Sequence, residues 1–142
     1  MYRIDKTEYG TRVTFGGRLT ADEVRRFSVE IVRIREERKG PRSVVMDLRS
    51  LLPPEPDVIE LLNGTFQGSK ETGLKRAAVI VNSPVVKGQA VQIAFVAQLA
   101  DDTRYIDASK NPDWEARSVD WALNGIEPDM VERFPKMNVP GA

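Results

Sequence analysis

The sequence predicts an α/β domain: a mixed sheet of four to five strands with helices packed against it, in the order ββαβαβαβα. Three observations predict it. Two short runs, Val44-Val45-Met46-Asp47-Leu48 and Ala77-Ala78-Val79-Ile80-Val81, are almost continuously apolar, as strands covered on both faces are. Helical patterns lie between these runs and their neighbours, and such alternation implies right-handed crossovers and a mainly parallel inner sheet. At the N-terminus, two weakly alternating segments flank Glu8-Tyr9-Gly10-Thr11, so an antiparallel hairpin opens the chain.

The elements come in order. Tyr2–Thr7 and Arg12–Phe15 are the hairpin strands, with Val13 and Phe15 on one face and Gly10 free to take a positive φ. Thr20 with Glu23 three residues later is a capping-box pattern. Behind it Val24, Phe27, Ile31 and Ile34 step by three and four, so a helix runs to about Lys39 before Gly40-Pro41 stops it. The strand Ser43–Leu48 leads into Leu51-Leu52-Pro53-Pro54-Glu55-Pro56, rigid because three prolines fix φ and remove amide donors. Asp57, with Glu60 three residues on, is expected to cap the next helix. That helix turns Val58, Leu61, Leu62, Thr65 and Phe66 inward and ends near Gly68 or Gly73. After the strand Ala77–Val81 comes an apolar helix, Ser83–Ala100. Thr103–Asp107 is a more polar, edge-like strand. A last helix runs from Asn111-Pro112 past Trp114 and Trp121, seven apart on one core face, to Leu123, and Asn124-Gly125 ends it. One domain thus spans residues 1–125, and 126–142 is a tail with three prolines, expected to cross the surface with one helical turn at 128–134.

The most informative stretch is Ser83–Ala100. Ser83 suits the N-cap and Pro84 the first helical position. The rest of the helix is apolar almost all the way round, interrupted only by Lys87, Gln89, Gln92 and Gln98. At about 100° per residue, Val86, Ala90, Ile93 and Ala97 share one face, suited to the core. Val91 and Phe95 fall on another, beside Lys87 and Gln98, where a surface helix carries charge. With Leu99 they form a candidate patch for self-association or for a ligand.

The order of elements resembles the STAS fold of sulfate-transporter and anti-sigma-factor-antagonist domains. It is similar in particular to the small stand-alone bacterial proteins of that fold grouped with the lipid-carrying CRAL–TRIO domains. The residues that carry the likeness are Gly16-Gly17-Arg18-Leu19-Thr20 entering the first helix, Val44–Leu48 as the central strand and Lys75–Val81 as the next. Arg104-Tyr105-Ile106-Asp107 and the helix closing on Val119-Asp120-Trp121-Ala122-Leu123 complete it. The resemblance covers roughly residues 1–125 and implies binding of a protein or a small ligand, not catalysis. In phosphorylation-switched antagonists of this fold an Asp-Ser-Ser/Thr-Gly turn carries the modified serine; here the stretch reads Pro54-Glu55-Pro56-Asp57-Val58. Asp57 stands at the switch-equivalent position, where a carboxylate mimics phosphate, although a plain helix cap explains it more simply.

Composition excludes much. Among 142 residues there is no histidine and no cysteine, so no Ser-His-Asp or Cys-His arrangement exists, and zinc chemistry loses its usual ligands. Lys+Arg and Asp+Glu are 21 each, leaving no net field for nucleic acid. No apolar run is long enough to span a bilayer and no signal peptide is evident, which suggests a cytoplasmic protein. No catalytic residue, cofactor or metal is assigned. The expectation is a non-catalytic, homodimeric module for a protein partner or small apolar ligand; the alternative is a small enzyme using carboxylate, Lys or Tyr chemistry. Asp47 at the end of a buried strand is a candidate site carboxylate, more simply an acceptor for the amides of the next loop. Gly64 and Gly68, four apart on one helix, suit tight packing on the sheet. Arg25, Arg26, Arg33, Arg35, Arg38 and Lys39 are interleaved with Glu30, Glu36 and Glu37 and read as a solvated, ion-paired face.

Overall fold

A computed structural model describes residues 1–128, so that of the tail only Ile126–Pro128 is described and nearly all of the turn expected at 128–134 lies outside the described residues. The chain runs β1 (Tyr2–Lys6), β2 (Gly10–Gly17), α1 (Ala21–Glu37), β3 (Arg42–Leu51), α2 (Pro56–Phe66), β4 (Leu74–Val81), α3 (Pro84–Val96), β5 (Thr103–Asp107) and α4 (Trp114–Val119), which continues as a π-helical turn over Asp120–Asn124. The expected α/β fold is present, with five strands. None of the described helices is long and apolar enough to cross a membrane.

The five strands lie side by side in chain order. β1 and β2 pair antiparallel as a hairpin, and β2, β3, β4 and β5 are parallel. The two apolar runs are neighbours, Val44 opposite Ala77 and Met46 opposite Val79, and β5 is an edge, in keeping with its polarity. The hairpin turn needs Gly10. Its φ is +146°, and a Cβ there would lie 2.1 Å from the Ser43 carbonyl oxygen of β3.

Because each crossover steps one strand over in the same direction, α1, α2 and α3 pack on one face and touch one another in sequence. Val13, Phe15, Val44 and Val79 of the sheet meet Val24, Phe27, Val58, Leu62, Val86 and Ala94 there. Phe15 and Phe27 make an edge-to-face pair with centroids 5.0 Å apart. Among the described residues the opposite face is covered only by the C-terminal helix: Trp121 and Ala122 close over Val45, Ala78, Ile80 and Ile106. The Trp121 indole N–H donates to the Ala77 carbonyl at 3.1 Å.

The Thr20–Glu23 capping box forms as predicted. α1 ends at Glu37, two residues earlier than expected, with Arg38 as its cap. Asp57 is not the cap of α2. Glu55 holds that position without a side-chain bond, and Pro56 is the first helical residue, since its fixed φ and missing N–H suit that place. Asp57 comes next as an exposed first-turn carboxylate, stabilising α2 through the helix dipole alone.

α3 is shorter than 83–100. Gln98 takes φ +61°, its N–H donates to the Phe95 carbonyl, and the Leu99 N–H reaches back to the Ala94 carbonyl at 2.8 Å. This is a Schellman turn, in which the residue after the left-handed one folds back onto the last turn. It carries Leu99 into the core, 6% exposed, and out of the patch expected to hold it.

Candidate functional site

An apolar cavity on the three-helix face and an ionic cluster beside α4 both combine features of a site. The cavity lies between the sheet and α2–α3, with a volume of about 70 Å³. Met46 and Val79 floor it, Leu62 and Phe66 of α2 form one wall, and Ala90, Ile93 and Ala94 of α3 roof it. The reason for the void is local. On its inward face α3 carries Ala90 and Ala94 beside Val86 and Ile93, and the two alanines leave volume unfilled between helix and sheet.

Among the described residues only two polar side chains line the cavity, Gln89 and Thr103. Thr103 is satisfied, its hydroxyl donating to the Leu99 carbonyl at 2.7 Å. Gln89 is half satisfied. Its amide nitrogen donates to the Pro54 carbonyl at 3.3 Å, tying α3 to the proline-rich loop before α2, while its Oε1 is buried with no partner among the described residues. A buried acceptor left unpaired is costly, and a donor entering the cavity would relieve it. Among the described residues no carboxylate, lysine or tyrosine lines the space.

The ionic cluster is built on Asp47, which points to the opposite face of the sheet. Arg49 donates to its carboxylate from the backbone N–H (3.1 Å), Nε (3.0 Å) and Nη2 (2.9 Å). Arg12 of β2 adds a contact at 3.3 Å and bridges to Glu115 of α4 at 2.6 Å. The Arg49 guanidinium lies 3.8 Å over the Trp114 ring. Burial pushes the Asp47 carboxyl up, but the Arg49 hydrogen bonds and the charges of Arg49 and Arg12 prevail and hold it below its ordinary 3.8. It is therefore ionised and committed, an anchor fastening α4 to the sheet, and it does receive the loop amide expected of it.

Of the predicted patch, Phe95 is 69% and Val91 43% exposed on the outer side of α3, and Leu99 is not with them. The Gly64 Cβ position faces open space, so tight packing does not explain that glycine; Gly68 lies beyond α2 with φ +77°. Trp121 is core and Trp114 packs against the same cluster half-buried. In the sequence Gln89 is only an interruption of an apolar helix, and nothing there marks it as a site residue. The signal for the cavity is present in the alanines of α3, but which strand and helix they face is set by the sheet order.

No family model, no curated protein and no solved structure matches this chain.

The cluster has a measurable consequence. A carboxyl whose folded pKa is depressed contributes stability that is present above its unfolded value and lost as pH falls through the folded one. Stability should fall below about pH 4 in the wild type. Asp47→Asn should lose this component of the acid dependence and be destabilised by about 2–3 kcal/mol at pH 7, because Arg12 and Arg49 lose the carboxylate they share and Arg12 keeps only the exposed Glu115. Urea unfolding from pH 3 to 7 measures both; equal pH profiles for the two proteins would contradict the role given to Asp47.

Proposed function

We propose that this protein is a non-catalytic binding module that takes a small apolar molecule, or the apolar end of one, into the cavity between its sheet and α2–α3. The observation that carries the reading is the cavity itself: apolar walls with one buried, unpartnered acceptor, Gln89 Oε1. Its volume is about half that of engineered cavities that hold benzene. It suits a slender chain or a small ring, with a hydroxyl or amide donor directed at Gln89. The likeness of element order to STAS and CRAL–TRIO proteins points the same way. The enzyme alternative draws less support, because the group best placed for acid–base work, Asp47, is locked in ion pairs and far from a neutral pKa.

A second reading concerns the outer side of α3 and a second copy of this chain. Val85, Val91, Phe95 and Val96 are exposed there around Gly88, whose Cβ position meets nothing within 4 Å. Gly88 and Phe95 are seven residues apart on one helical face. In a twofold antiparallel contact centred between them, each Phe95 ring would fill the notch over Gly88 of the other copy. α3 has no basic residue in its last turn, and the same arrangement would bring Lys87 of the second copy to those carbonyls.

For the cavity, calorimetric titration with n-hexanol is expected to show saturable binding with a negative heat-capacity change. Ala94→Leu, which fills the space, should abolish binding and leave the fold at least as stable; Ala90→Val serves if leucine overpacks. Unchanged binding by a folded, filled variant, or no saturable uptake by the wild type, would overturn the reading.

For the α3 contact, Phe95→Lys should turn a dimer into a monomer in sedimentation equilibrium with unchanged circular dichroism. Gly88→Leu separates notch docking from general stickiness: it should weaken the dimer although it adds apolar surface. A wild type that is monomeric throughout, or a Gly88→Leu variant that associates more strongly, would rule the contact out.

A further inference from the structure

The basic residues of α1 do not behave as one solvated face. Arg25 pairs with Asp22 at 2.9 Å, Glu37 is taken by Lys6 and Glu30 by the Tyr2 hydroxyl. At the end of the helix Arg35, Arg38 and Lys39 turn toward the N-terminal ends of the parallel strands, where Arg42 opens β3. These four cations line a pocket of about 150 Å³.

None of the four has an ion-pair partner among the described residues. The three arginines bond to neutral oxygens: Arg35 to the Ser69 hydroxyl at 3.1 Å, Arg38 to the Gly10 and Thr7 carbonyls at 2.8 Å each, and Arg42 to Thr72. A guanidinium carries five donors, so each keeps N–H groups to offer. Arg35 and Arg42 are both half-buried and stand near enough to act on each other. Burial and then the charge of Arg42 lower the proton affinity of Arg35. Two neighbouring, part-desolvated guanidinium groups repel unless an anion lies between them. Among the described residues Glu8 is the single acid in the lining, and it is exposed. Ile31, Ile34 and Pro41 supply an apolar wall beside the charges.

We propose that this pocket binds a phosphate monoester dianion, clasped between Arg35 and Arg42 with Lys39 completing its neutralisation and the organic part resting on Ile34 and Pro41. A dianion with three terminal oxygens suits several converging cations, whereas one carboxylate satisfies a single guanidinium fork. The pocket shares no lining residue with the apolar cavity, so this site stands whether or not the cavity takes a guest.

The test titrates the full chain with glycerol 3-phosphate and with inorganic phosphate at constant ionic strength, followed by calorimetry and ³¹P line broadening. Saturable binding is expected, weakening as chloride rises. Arg35→Gln with Arg42→Gln should weaken binding by at least about tenfold, and in chloride alone should unfold at the same or a higher temperature because the repulsion is gone. Arg25→Gln, on the same helix but paired with Asp22, should bind as the wild type does. If the double variant does not fold, Lys39→Met, which breaks no hydrogen bond among the described residues, should still show weaker binding. Sedimentation with phosphatidate vesicles against phosphatidylcholine vesicles tells whether the monoester is also recognised on a lipid; binding there that depends on Arg35 and Arg42 supports the same chemistry. No saturable binding to any of these phosphates, or folded variants that bind like the wild type, would overturn the proposal.

Discussion

The handedness of the crossovers governs this molecule. Four parallel strands in chain order, each joined to the next by a helix, oblige α1, α2 and α3 to share one face of the sheet. That face therefore receives three helices and the larger of the two apolar clusters, and the other is left to the chain beyond β5. Among the described residues only one short helix is supplied there, and its apolar cover reaches no further than β3, β4 and β5. Beyond its edge the sheet must be polar, and on β1 and β2 it carries Arg3, Asp5, Arg12 and Thr14.

The ionic cluster on Asp47 arises from the same asymmetry. A helix with few apolar contacts needs a second attachment, and Asp47, Arg12, Glu115 and Arg49 supply it where the apolar cover runs out. Trp114, under the Arg49 guanidinium, marks the border between the two kinds of contact. On the three-helix face the balance is the reverse. α3 is apolar around most of its circumference but small where it meets the sheet, so it leaves a void beneath and exposes Phe95 above. Both features arise from one choice: alanine inside and large residues outside.

Much of the fold is legible locally. The two buried strands announce themselves by unbroken apolar character, α1 by its capping box, and the hairpin by Gly10. The departures turn on competition between neighbouring signals. Asp57 has the character of a cap, yet Pro56 before it is the better first helical residue and moves the start of α2 upstream. Leu99 continues the outer stripe in sequence, yet the left-handed turn at Gln98 reverses its direction and buries it. The sites are harder to read, because each depends on residues far apart in sequence. Arg42 joins Arg35 only because β3 pairs where it does, and Gln89 gains meaning only once Pro54 and the roof of α3 enclose it.

The central claim is that a dry, apolar space beneath α3 is held open for a guest. Crystals of the full chain pressurised with xenon test it most directly, since xenon enters empty apolar cavities and leaves hydrated ones alone. A single strong xenon peak is predicted between Val79 and Leu62 below and Ala90 and Ala94 above. Ordered water in that space, or side chains collapsed to fill it, would contradict the claim.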